Sequence, residues 1–568
     1  MNDNSKINLH LDHAASFIAG LASRDITSFV ISPGARSTLL TLSALRSKVP
    51  THTIIDERSA AFFALGQSRA SGKPAVLICT SGTAGAHYLP ALMEAKKSHI
   101  PLIAVTADRP WEEQERGASQ TAFQHRLFGE HVNAYLELGE PFKGSEQYAE
   151  SIALKSVFTS LYPCKGPVHV NTRIRKPLHP IGSDNFLVQG SPLPATLSNW
   201  PPSGFSTPVI KAEKKQIATL IELIQNSENG FIISGPLPHD QDRFKLGNQL
   251  SKLSDLLNYT IISDFTGASK PAKFSGNFIS NGSALFLSEQ IKNIPIPQII
   301  IEINSPLISS GYRQFIYDNP SIPRVIITQS NWIDEHGNAA MIIIGDVSLN
   351  IKELILQAKT LKKPKNRSLK TFKKLDSIVK DVHTKLSHTN FTHINAARTL
   401  SQCTKGTALI TANSMTIRDI SVYGDYVESK KVFHQRGLAG IDGLISGAAG
   451  TAMYLNAPVI LAIGDVSAFH DAGGFALLSL LNTPLAVVIL NNYGGRIFEQ
   501  LPAGKIEQIN VEIQESFITT PNISFKELAS AYKINYTDVS DRNSMKTEIQ
   551  NALKNNYATV IEAKILID

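Results

Sequence analysis

Short apolar segments that alternate with helical segments are the feature that most constrains the fold of this chain. Segments such as Ala75–Thr80 and Val459–Ile463 are almost wholly apolar, and a stretch with helical periodicity follows each of them. Strands that are apolar on both faces are typical of parallel sheets covered by helices on both sides. The sequence therefore predicts an α/β protein built from doubly wound parallel sheets.

The chain divides into three such blocks. Its 568 residues are too many for one core, because about 150 residues per domain predicts three or four domains. Residues 181–208 are rich in Pro, Ser, Gly and Asn, and residues 359–374 are basic and polar, so both are predicted linkers. We predict three domains of one style, at residues 1–185, 205–360 and 385–568.

Composition limits the class of partner and the compartment. A net charge of +7, in a chain that also has 48 acidic residues, is too mild to indicate nucleic-acid binding. The three cysteines lack the CxxC spacing of a zinc site and indicate a reducing compartment, so we expect the cytoplasm. The sequence shows no signal pattern and no run of about 18 apolar residues, so we expect no membrane span.

The strongest local motif runs from Pro458 to Gly495. Gly464-Asp465 ends one apolar strand, and Asn491-Asn492 ends the next, with a predicted helix at Gly474–Leu481 between them. A right-handed βαβ unit returns the chain to the same edge of the sheet, so Asp465 and Asn492 should converge there. With the backbone carbonyl of Gly494, these oxygens suit Mg²⁺, and Mn²⁺ is the alternative metal.

A Gly-Asp pair followed by an Asn-Asn pair one βαβ unit later resembles the signature of enzymes that bind thiamine diphosphate. Either pair alone is more typical of an ordinary turn after a strand, whereas the combination with this spacing is not. The resemblance implies that Asp465, Asn492 and Gly494 hold the metal ion that binds the diphosphate of the coenzyme.

Two further residues resemble coenzyme-binding positions of the same enzymes. Glu57 follows a predicted strand and begins a predicted helix, where the resemblance implies a carboxyl group against the pyrimidine ring that promotes loss of the C2 proton. The alternative is a glutamate favoured in a first helical turn by the helix dipole. Ile441 resembles the apolar residue beneath the coenzyme, and a core isoleucine is the alternative.

Motifs in all three blocks also resemble those of a single family. They read ISPGARST at 31–38, DER at 56–58, TADRP at 106–110, NS at 413–414 with Arg418, QRG at 435–437 and NNYGGRIF at 491–498. This set is similar to that of the 2-succinyl-5-enolpyruvyl-6-hydroxy-3-cyclohexene-1-carboxylate (SEPHCHC) synthases of menaquinone biosynthesis. The resemblance implies a pyrimidine-binding, a central and a diphosphate-binding domain, in that order.

The family reaction joins 2-oxoglutarate to isochorismate with loss of CO₂. Both substrates are dianions, and arginine binds carboxylates through two parallel hydrogen bonds. The resemblance implies a homodimer or tetramer with active sites between subunits, and Ser414 as a contact of the coenzyme as well. The implied substrate-binding residues are Arg36, Arg109, Gln120, Arg313, Ser414, Arg418, Arg436, Ile497 and Phe498.

Three positions depart from the family pattern. Ala35 stands where a serine is usual and Ser119 where an asparagine is common, while Tyr312 replaces a lysine, so we expect a hydroxyl contact and a basic contact to be lost. Two other functions stay open. One is a different carboligase, such as an acetolactate-synthase-like enzyme with FAD in the middle domain. The other is a non-catalytic α/β binding protein.

Overall fold

Three parallel sheets of six strands each form the framework of the molecule. The computed structural model describes residues 4–180, 205–271, 276–329, 332–363, 366, 368–386 and 390–566. Every strand pair in the three sheets is parallel, which confirms the predicted fold class. The predicted linker at 181–208 lies outside the described residues except for its last four. Among the described helices, none combines the length and apolar character needed to cross a membrane.

The first sheet has the strand order β2-β1-β3-β4-β6-β5. Its strands are β1 (Phe29–Ile31), β2 (Thr51–Thr53), β3 (Ala75–Cys79), β4 (Leu102–Asp108), β5 (Ala134–Glu137) and β6 (Pro167–Arg173). Its helices are α1 (Asn4–Ala22), α2 (Thr38–Arg46), α3 (Glu57–Ser71), α4 (Leu89–Lys97) and α5 (Glu146–Leu161). Alternate residues of β3 enter different cores, Ala75 and Leu77 on one face and Val76 and Ile78 on the other. Helices therefore cover both faces of this sheet.

The middle sheet has the strand order β12-β11-β10-β7-β8-β9. Its strands are β7 (Gly230–Ser234), β8 (Thr260–Ser263), β9 (Phe278–Ile279), β10 (Ile299–Ile303), β11 (Arg324–Thr328) and β12 (Ala339–Ile344). Its helices are α6 (Lys214–Gln225), α7 (Arg243–Leu257), α8 (Gly282–Leu287), α9 (Ser310–Asp318) and α10 (Val347–Ala358). The next helix, α11 (Leu369–Leu386), begins inside the basic stretch predicted to be a linker, so that stretch is partly helical.

The third sheet has the strand order β14-β13-β15-β16-β18-β17. Its strands are β13 (Ala408–Thr411), β14 (Lys431–His434), β15 (Val459–Gly464), β16 (Leu485–Asn491), β17 (Asn535–Val539) and β18 (Ala558–Lys564). Its helices are α12 (His393–Gln402), α13 (Met415–Tyr423), α14 (Leu444–Leu455), α15 (Asp465–His470), α16 (Phe475–Leu478), α17 (Ile497–Gln500), α18 (Asn510–Ile513), α19 (Phe525–Ala531) and α20 (Arg542–Ala552).

The first and third domains have the same strand order, and the middle domain has a different one. Counted within each domain, the first and third sheets both run 2-1-3-4-6-5, whereas the middle sheet runs 3-2-1-4-5-6. The second order is that of dinucleotide-binding domains. The structure therefore shows two domains of one topology flanking a domain of another.

Close packing of two helices joins the first domain to the third. A Cβ atom on Gly66 of α3 would lie 2.0 Å from the carbonyl oxygen of Gly447 in α14, and one on Gly450 would lie 2.0 Å from that of Phe63. Only glycine permits this approach, because any side chain would collide with the facing backbone. The hydroxyl of Thr451 donates to the Gly66 carbonyl at 3.0 Å. This contact sets how the two domains face each other within the chain.

Candidate active site

The carboxyl ends of β15 and β16 bring the predicted metal ligands together. These strands are neighbours, and Gly464 pairs with Leu490 in the sheet register. Asp465 is 2% exposed, and its Oδ2 accepts a hydrogen bond from the backbone N–H of Gly494 at 2.7 Å. Burial raises the pKa of Asp465 to about 6, while the Gly494 N–H acts in the opposite direction. Gly494 has a φ of +124°, a conformation that favours glycine.

The side-chain amide of Asn492 faces two oxygen atoms. It lies 3.3 Å from Asp465 Oδ1 and 3.0 Å from the Gly494 carbonyl oxygen. With its nitrogen on that side, the amide donates to both; with its oxygen there, three oxygens converge. Oxygens bound to one octahedral Mg²⁺ at 2.0–2.1 Å lie about 3 Å apart, so the second orientation fits a cation. Hard oxygen donors at this spacing fit the predicted metal ion, with Asn492 turned oxygen-inward.

The loop that carries Ile441 is tied to the loop that carries Ser414. Asn413 Nδ2 donates to the carbonyls of Gln435 and Gly440, at 2.7 and 2.8 Å, and Gln435 Nε2 donates to the Asp442 carbonyl at 2.9 Å. Ser414 itself has φ +61° and ψ −134°, a strained backbone at the start of α13. Asn413 and Gln435 belong to the sequence motifs. The structure shows that their side chains hold the two loops together through hydrogen bonds.

Three of the predicted substrate arginines lie close together. Burial lowers the pKa of both Arg418 and Arg436, and the charge of Arg313 lowers both further. Arg418 Nη1 donates to the Ser414 carbonyl at 2.6 Å, and Arg313 pairs with Glu335 at 3.0 Å. Within the described part of the chain, neither Arg418 nor Arg436 forms an ion pair. Asp419 acts on Arg418, and Asp264 and Glu94 act on Arg436, through their charges alone, so no salt bridge among these residues blocks either guanidinium group from an anion.

Arg313 and Arg436 also line a cavity of about 500 Å³ where the three domains meet. The neighbour of Arg313 departs from expectation. We expected Tyr312 to mark a lost basic contact in the site, but its side chain is fully buried in the middle domain, and its hydroxyl donates to Glu302. Tyr312 therefore lies in the interior of the middle domain. The change from the lysine of the family pattern to tyrosine affects the packing of that interior.

Two predicted apolar substrate contacts, Ile497 and Phe498, and the side chain of Arg496 follow the candidate metal ligands in the chain. Ile497 and Phe498 begin α17, and the ring of Phe498 lies 5.4 Å from that of Phe517. Arg496 Nε donates to the Asn492 carbonyl at 3.2 Å and so links α17 to the metal-ligand residues.

The first domain gathers the other predicted substrate residues at the carboxyl edge of its own sheet. Arg36 is 2% exposed, and its Nη1 donates to the Ile174 carbonyl. Arg109 Nε donates to the carbonyl of Gln120 at 3.4 Å, and Gln120 Nε2 donates to the Ser81 carbonyl at 3.0 Å. Two polar loops, after β1 and β4, therefore present these side chains together. Ala35 and Ser119, where the family pattern is broken, are both exposed.

Glu57 lies at the start of α3, as predicted. Asp56 caps this helix by accepting from the Ser59 N–H at 2.7 Å, which leaves the Glu57 side chain half-buried in the first turn. Burial raises the pKa of Cys79 to about 12, and the nearby charge of Glu57 raises it further. Cys79 is the last residue of β3, so the charge of Glu57 acts at the carboxyl end of that strand.

Within one chain the Arg436 loop and the group of Arg36, Arg109 and Gln120 lie at opposite edges of the first sheet. The Arg436 loop contacts the C-terminal ends of α3 and α4: Arg69 Nη2 donates to Gln435 Oε1 at 3.3 Å, and the Glu94 carboxylate accepts from the Leu438 N–H at 2.7 Å. These helix ends lie at the amino edge of the first sheet, because helices in βαβ units run antiparallel to the strands. The carboxyl edge with Arg109 is one strand length away, about 20 Å for β4.

Comparisons with known proteins assign the first and third domains to a class of coenzyme-binding domain. Residues 12–127 match the family model described as thiamine pyrophosphate enzyme, N-terminal TPP binding domain, and residues 420–563 match the C-terminal TPP binding domain. Both matches coincide with the domains that share a strand order.

Relatives that match nearly the whole chain narrow the family. The chain is 33% identical to the 2-succinyl-5-enolpyruvyl-6-hydroxy-3-cyclohexene-1-carboxylate synthase of Sorangium cellulosum (strain So ce56), over 98% of this chain and 93% of that protein. It is 32% identical to the synthase of the same name from Trichodesmium erythraeum (strain IMS101), over 94% and 92%. For the Bacillus velezensis enzyme (strain DSM 23117 / BGSC 10A6 / LMG 26770 / FZB42) the identity is 31%, over 92% and 89%. Identity at this level over all three domains shows that the chain belongs to the SEPHCHC synthase family.

Proposed function

We propose that the chain is a thiamine-diphosphate-dependent SEPHCHC synthase that joins 2-oxoglutarate to isochorismate with loss of CO₂, a step of menaquinone biosynthesis. The observation that carries the proposal is the convergence of Asp465, Asn492 and the Gly494 carbonyl, 3.0–3.3 Å from the Asn492 amide, at the edge of a coenzyme-binding domain. None of the three cysteines, all of which lie in the described ranges, forms a disulfide, which fits a reducing compartment, so we place the reaction in the cytoplasm.

The protein residues divide into those that hold the coenzyme and those that hold substrate. Asp465, Asn492 and the Gly494 carbonyl would hold Mg²⁺, or Mn²⁺, against the coenzyme diphosphate, with Ile441 and Ser414 as further contacts. When bound, thiamine diphosphate supplies a nucleophilic carbon and accepts the electron pair released with CO₂. Glu57 would hold a proton at the pyrimidine nitrogen, and this is its catalytic role.

The arginines would bind the carboxylates of the two dianionic substrates. Neither Arg418 nor Arg436 forms a salt bridge among the described residues, and Arg313 adds a third positive charge nearby. Arg36, Arg109 and Gln120 form the second anion-binding group. Ile497 and Phe498 would exclude water from the reacting carbon, where a dry environment strengthens each of these charge interactions.

A second copy of the chain would complete each site. In one chain the Arg436 loop and the Arg109 group lie at opposite edges of the first sheet. A homodimer in which the first domain of each copy faces the third domain of the other would unite them, and a tetramer would be two such dimers. Exposed apolar side chains, including Ile55 at 84%, two residues before Glu57, and Phe469 at 49%, in α15, are available for that interface.

The middle domain provides the observation against a flavin-dependent carboligase. Its strand order is compatible with a dinucleotide, but the turn after β7 lacks the GxGxxG pattern. A Cβ atom on Gly235 would lie 2.1 Å from the Pro306 carbonyl oxygen, so glycine is required here for packing against the protein's own backbone. The N-terminus of α7 is capped by Asp242, whose carboxylate accepts from the N–H groups of Phe244 and Lys245 at 2.9 and 3.0 Å. These N–H groups are therefore not available to bind the phosphate of a dinucleotide.

Product analysis tests the proposal against both alternatives. The purified chain with Mg²⁺ and thiamine diphosphate should form SEPHCHC and CO₂ from 2-oxoglutarate and isochorismate together. Release of CO₂ that prefers pyruvate, or that does not require isochorismate, would support another carboligase. Absence of coenzyme binding in a calorimeter would support the non-catalytic binding protein.

A further inference from the structure

The carboxylate of Glu113 lies between two of the arginines assigned to substrate. Its Oε2 is 3.5 Å from Arg36 Nη2 and 3.3 Å from Arg109 Nη1. Glu113 ends the short turn Trp111–Glu113, and its side chain is 28% exposed. One carboxylate oxygen of the protein therefore contacts both guanidinium groups.

The arrangement leaves Arg36 incompletely paired. Its Nη1 donates to the Ile174 carbonyl, but Nε and Nη2 are buried and have no hydrogen-bond partner. These two atoms form one edge of the guanidinium, the edge to which a carboxylate binds through two parallel hydrogen bonds. Glu113 offers this edge a single oxygen at 3.5 Å, well beyond the 2.7–2.9 Å of a good charge-assisted bond. The edge is therefore open to a better-placed carboxylate.

Electrostatics accounts for the position of the Glu113 carboxylate beside Arg36 and Arg109. Burial lowers the pKa of Arg36, the adjacent Arg109 charge lowers it further, and the Glu113 charge acts in the opposite direction. Two neighbouring cations, one of them buried, need negative charge nearby, and Glu113 supplies it together with Asp108. A substrate carboxylate would supply the same charge with better geometry.

We propose that Glu113 is an internal stand-in for a substrate carboxylate, displaced from Arg36 and Arg109 when substrate binds, and that it thereby determines substrate affinity. The proposal rests on the function given above, in which these arginines bind a substrate carboxylate. Because the bound state requires Glu113 to leave, the measured affinity is lower than the arginine pair alone would provide. Glu113 acts on binding and has no part in the chemical step.

Glu113→Gln tests this inference, because it keeps the shape of the side chain and removes its charge. In the holoenzyme we expect the KM of one of the two substrates to fall about threefold to tenfold, the range for loss of weak ion pairs, with kcat unchanged. Glu113→Asp, which withdraws the carboxylate by one methylene group, should shift the KM in the same direction. An unchanged or raised KM for both substrates in both variants would overturn the inference.

Glu115→Gln is the matched control. It removes the same charge from the same segment, but Glu115 is exposed and forms no ion pair among the described residues, so both KM values should stay unchanged. A fall in KM equal to that of Glu113→Gln would show a general charge effect and would also overturn the inference.

Arg109→Gln separates this inference from the proposed function. If Arg109→Gln raises a KM but the Glu113 variants do not lower one, only the stand-in role of Glu113 is wrong. If Arg109→Gln leaves both KM values unchanged, the arginine pair does not bind a substrate carboxylate, and the substrate assignment is wrong as well. A raised KM for Arg109→Gln and a lowered KM of the same substrate for Glu113→Gln would support both.

Discussion

The carboxylate of Glu94, in the first domain, accepts a hydrogen bond at 2.7 Å from the backbone N–H of Leu438, in the third. The same carboxylate accepts from the Gly437 N–H at 3.0 Å, and Glu94 is only 3% exposed. These two backbone groups directly follow Arg436. The first domain thus supports the loop on which the third domain carries Arg436, a proposed substrate ligand.

Replacing Glu94 should weaken both stability and substrate binding. Glu94→Ala leaves two partly buried N–H groups without a partner, at about 1–3 kcal/mol each, so the melting temperature should fall by several degrees. With Arg436 less firmly placed, the KM of an anionic substrate should rise several-fold. Glu222→Ala, on the exposed face of α6, is the control and should change neither quantity. A normal KM in a destabilised Glu94→Ala variant would limit Glu94 to a structural role.

Replacing Glu57 should separate coenzyme binding from turnover. Glu57→Gln keeps the volume of the side chain but removes the carboxyl group that we propose exchanges a proton with the pyrimidine nitrogen. We expect calorimetry to show nearly normal coenzyme binding, while kcat falls about 100-fold or more. The exposed Glu130→Gln variant should match the unaltered protein in both measurements. An unchanged kcat in Glu57→Gln would rule out the catalytic assignment.

Replacing Asp465 should affect the metal-dependent part of coenzyme binding. Asp465→Ala removes one of three converging oxygens and leaves the Gly494 N–H without its acceptor. The affinity for thiamine diphosphate in the presence of Mg²⁺ should fall at least tenfold. Asp538→Ala, a half-exposed carboxylate of the same domain, should bind the coenzyme normally. Tight coenzyme binding by Asp465→Ala would contradict the metal assignment.

Metal affinity should depend on pH through the same carboxylate. Burial raises the pKa of Asp465 to about 6 in the metal-free chain, so protons and Mg²⁺ compete for it below that pH. Mg²⁺ affinity should therefore fall about tenfold per pH unit below pH 6 and level off above it. Asp465→Asn should bind Mg²⁺ weakly and lack this dependence. Equal slopes in the two proteins would show that another group titrates.

Asp471 should make stability fall as pH rises. Burial raises its pKa from 3.8 to about 6, although the N–H and hydroxyl of Ser446 donate to its carboxylate. The folded state then binds the proton more tightly than the unfolded state, so the stabilisation is complete below pH 3.8 and is lost as pH rises through about 6. The loss is at most about 3 kcal/mol.

Thermal unfolding at several pH values checks this prediction. Between pH 4 and pH 7, the melting temperature of the unaltered protein should fall relative to that of Asp471→Asn, which cannot titrate there. The comparison cancels other titrating groups, since the two proteins differ at one side chain. Parallel curves for the two proteins would refute the raised pKa.

Local sequence was sufficient to predict that Asp465 and Asn492, the proposed metal ligands, lie close together. Asp465 and Asn492 each end an apolar strand, and the strands belong to one βαβ unit, so sheet geometry alone brings these residues to the same edge. The boundaries of the helix between them were less accurate: the predicted helix Gly474–Leu481 is shortened to Phe475–Leu478, and α15 begins already at Asp465. Hydrophobic periodicity is a weak guide to such short helical pieces.

Patterns repeated over a few residues are enough to predict an α/β fold and the residues at the ends of its strands. Which of those residues come together depends on tertiary contacts. The contact of Gly66 with Gly447 sets how the first and third domains pack, and from it follow the support of Leu438 by Glu94 and the opposite placement of Arg109. Such contacts join residues hundreds of positions apart, and no local pattern encodes them, since they depend on how completed domains fit together.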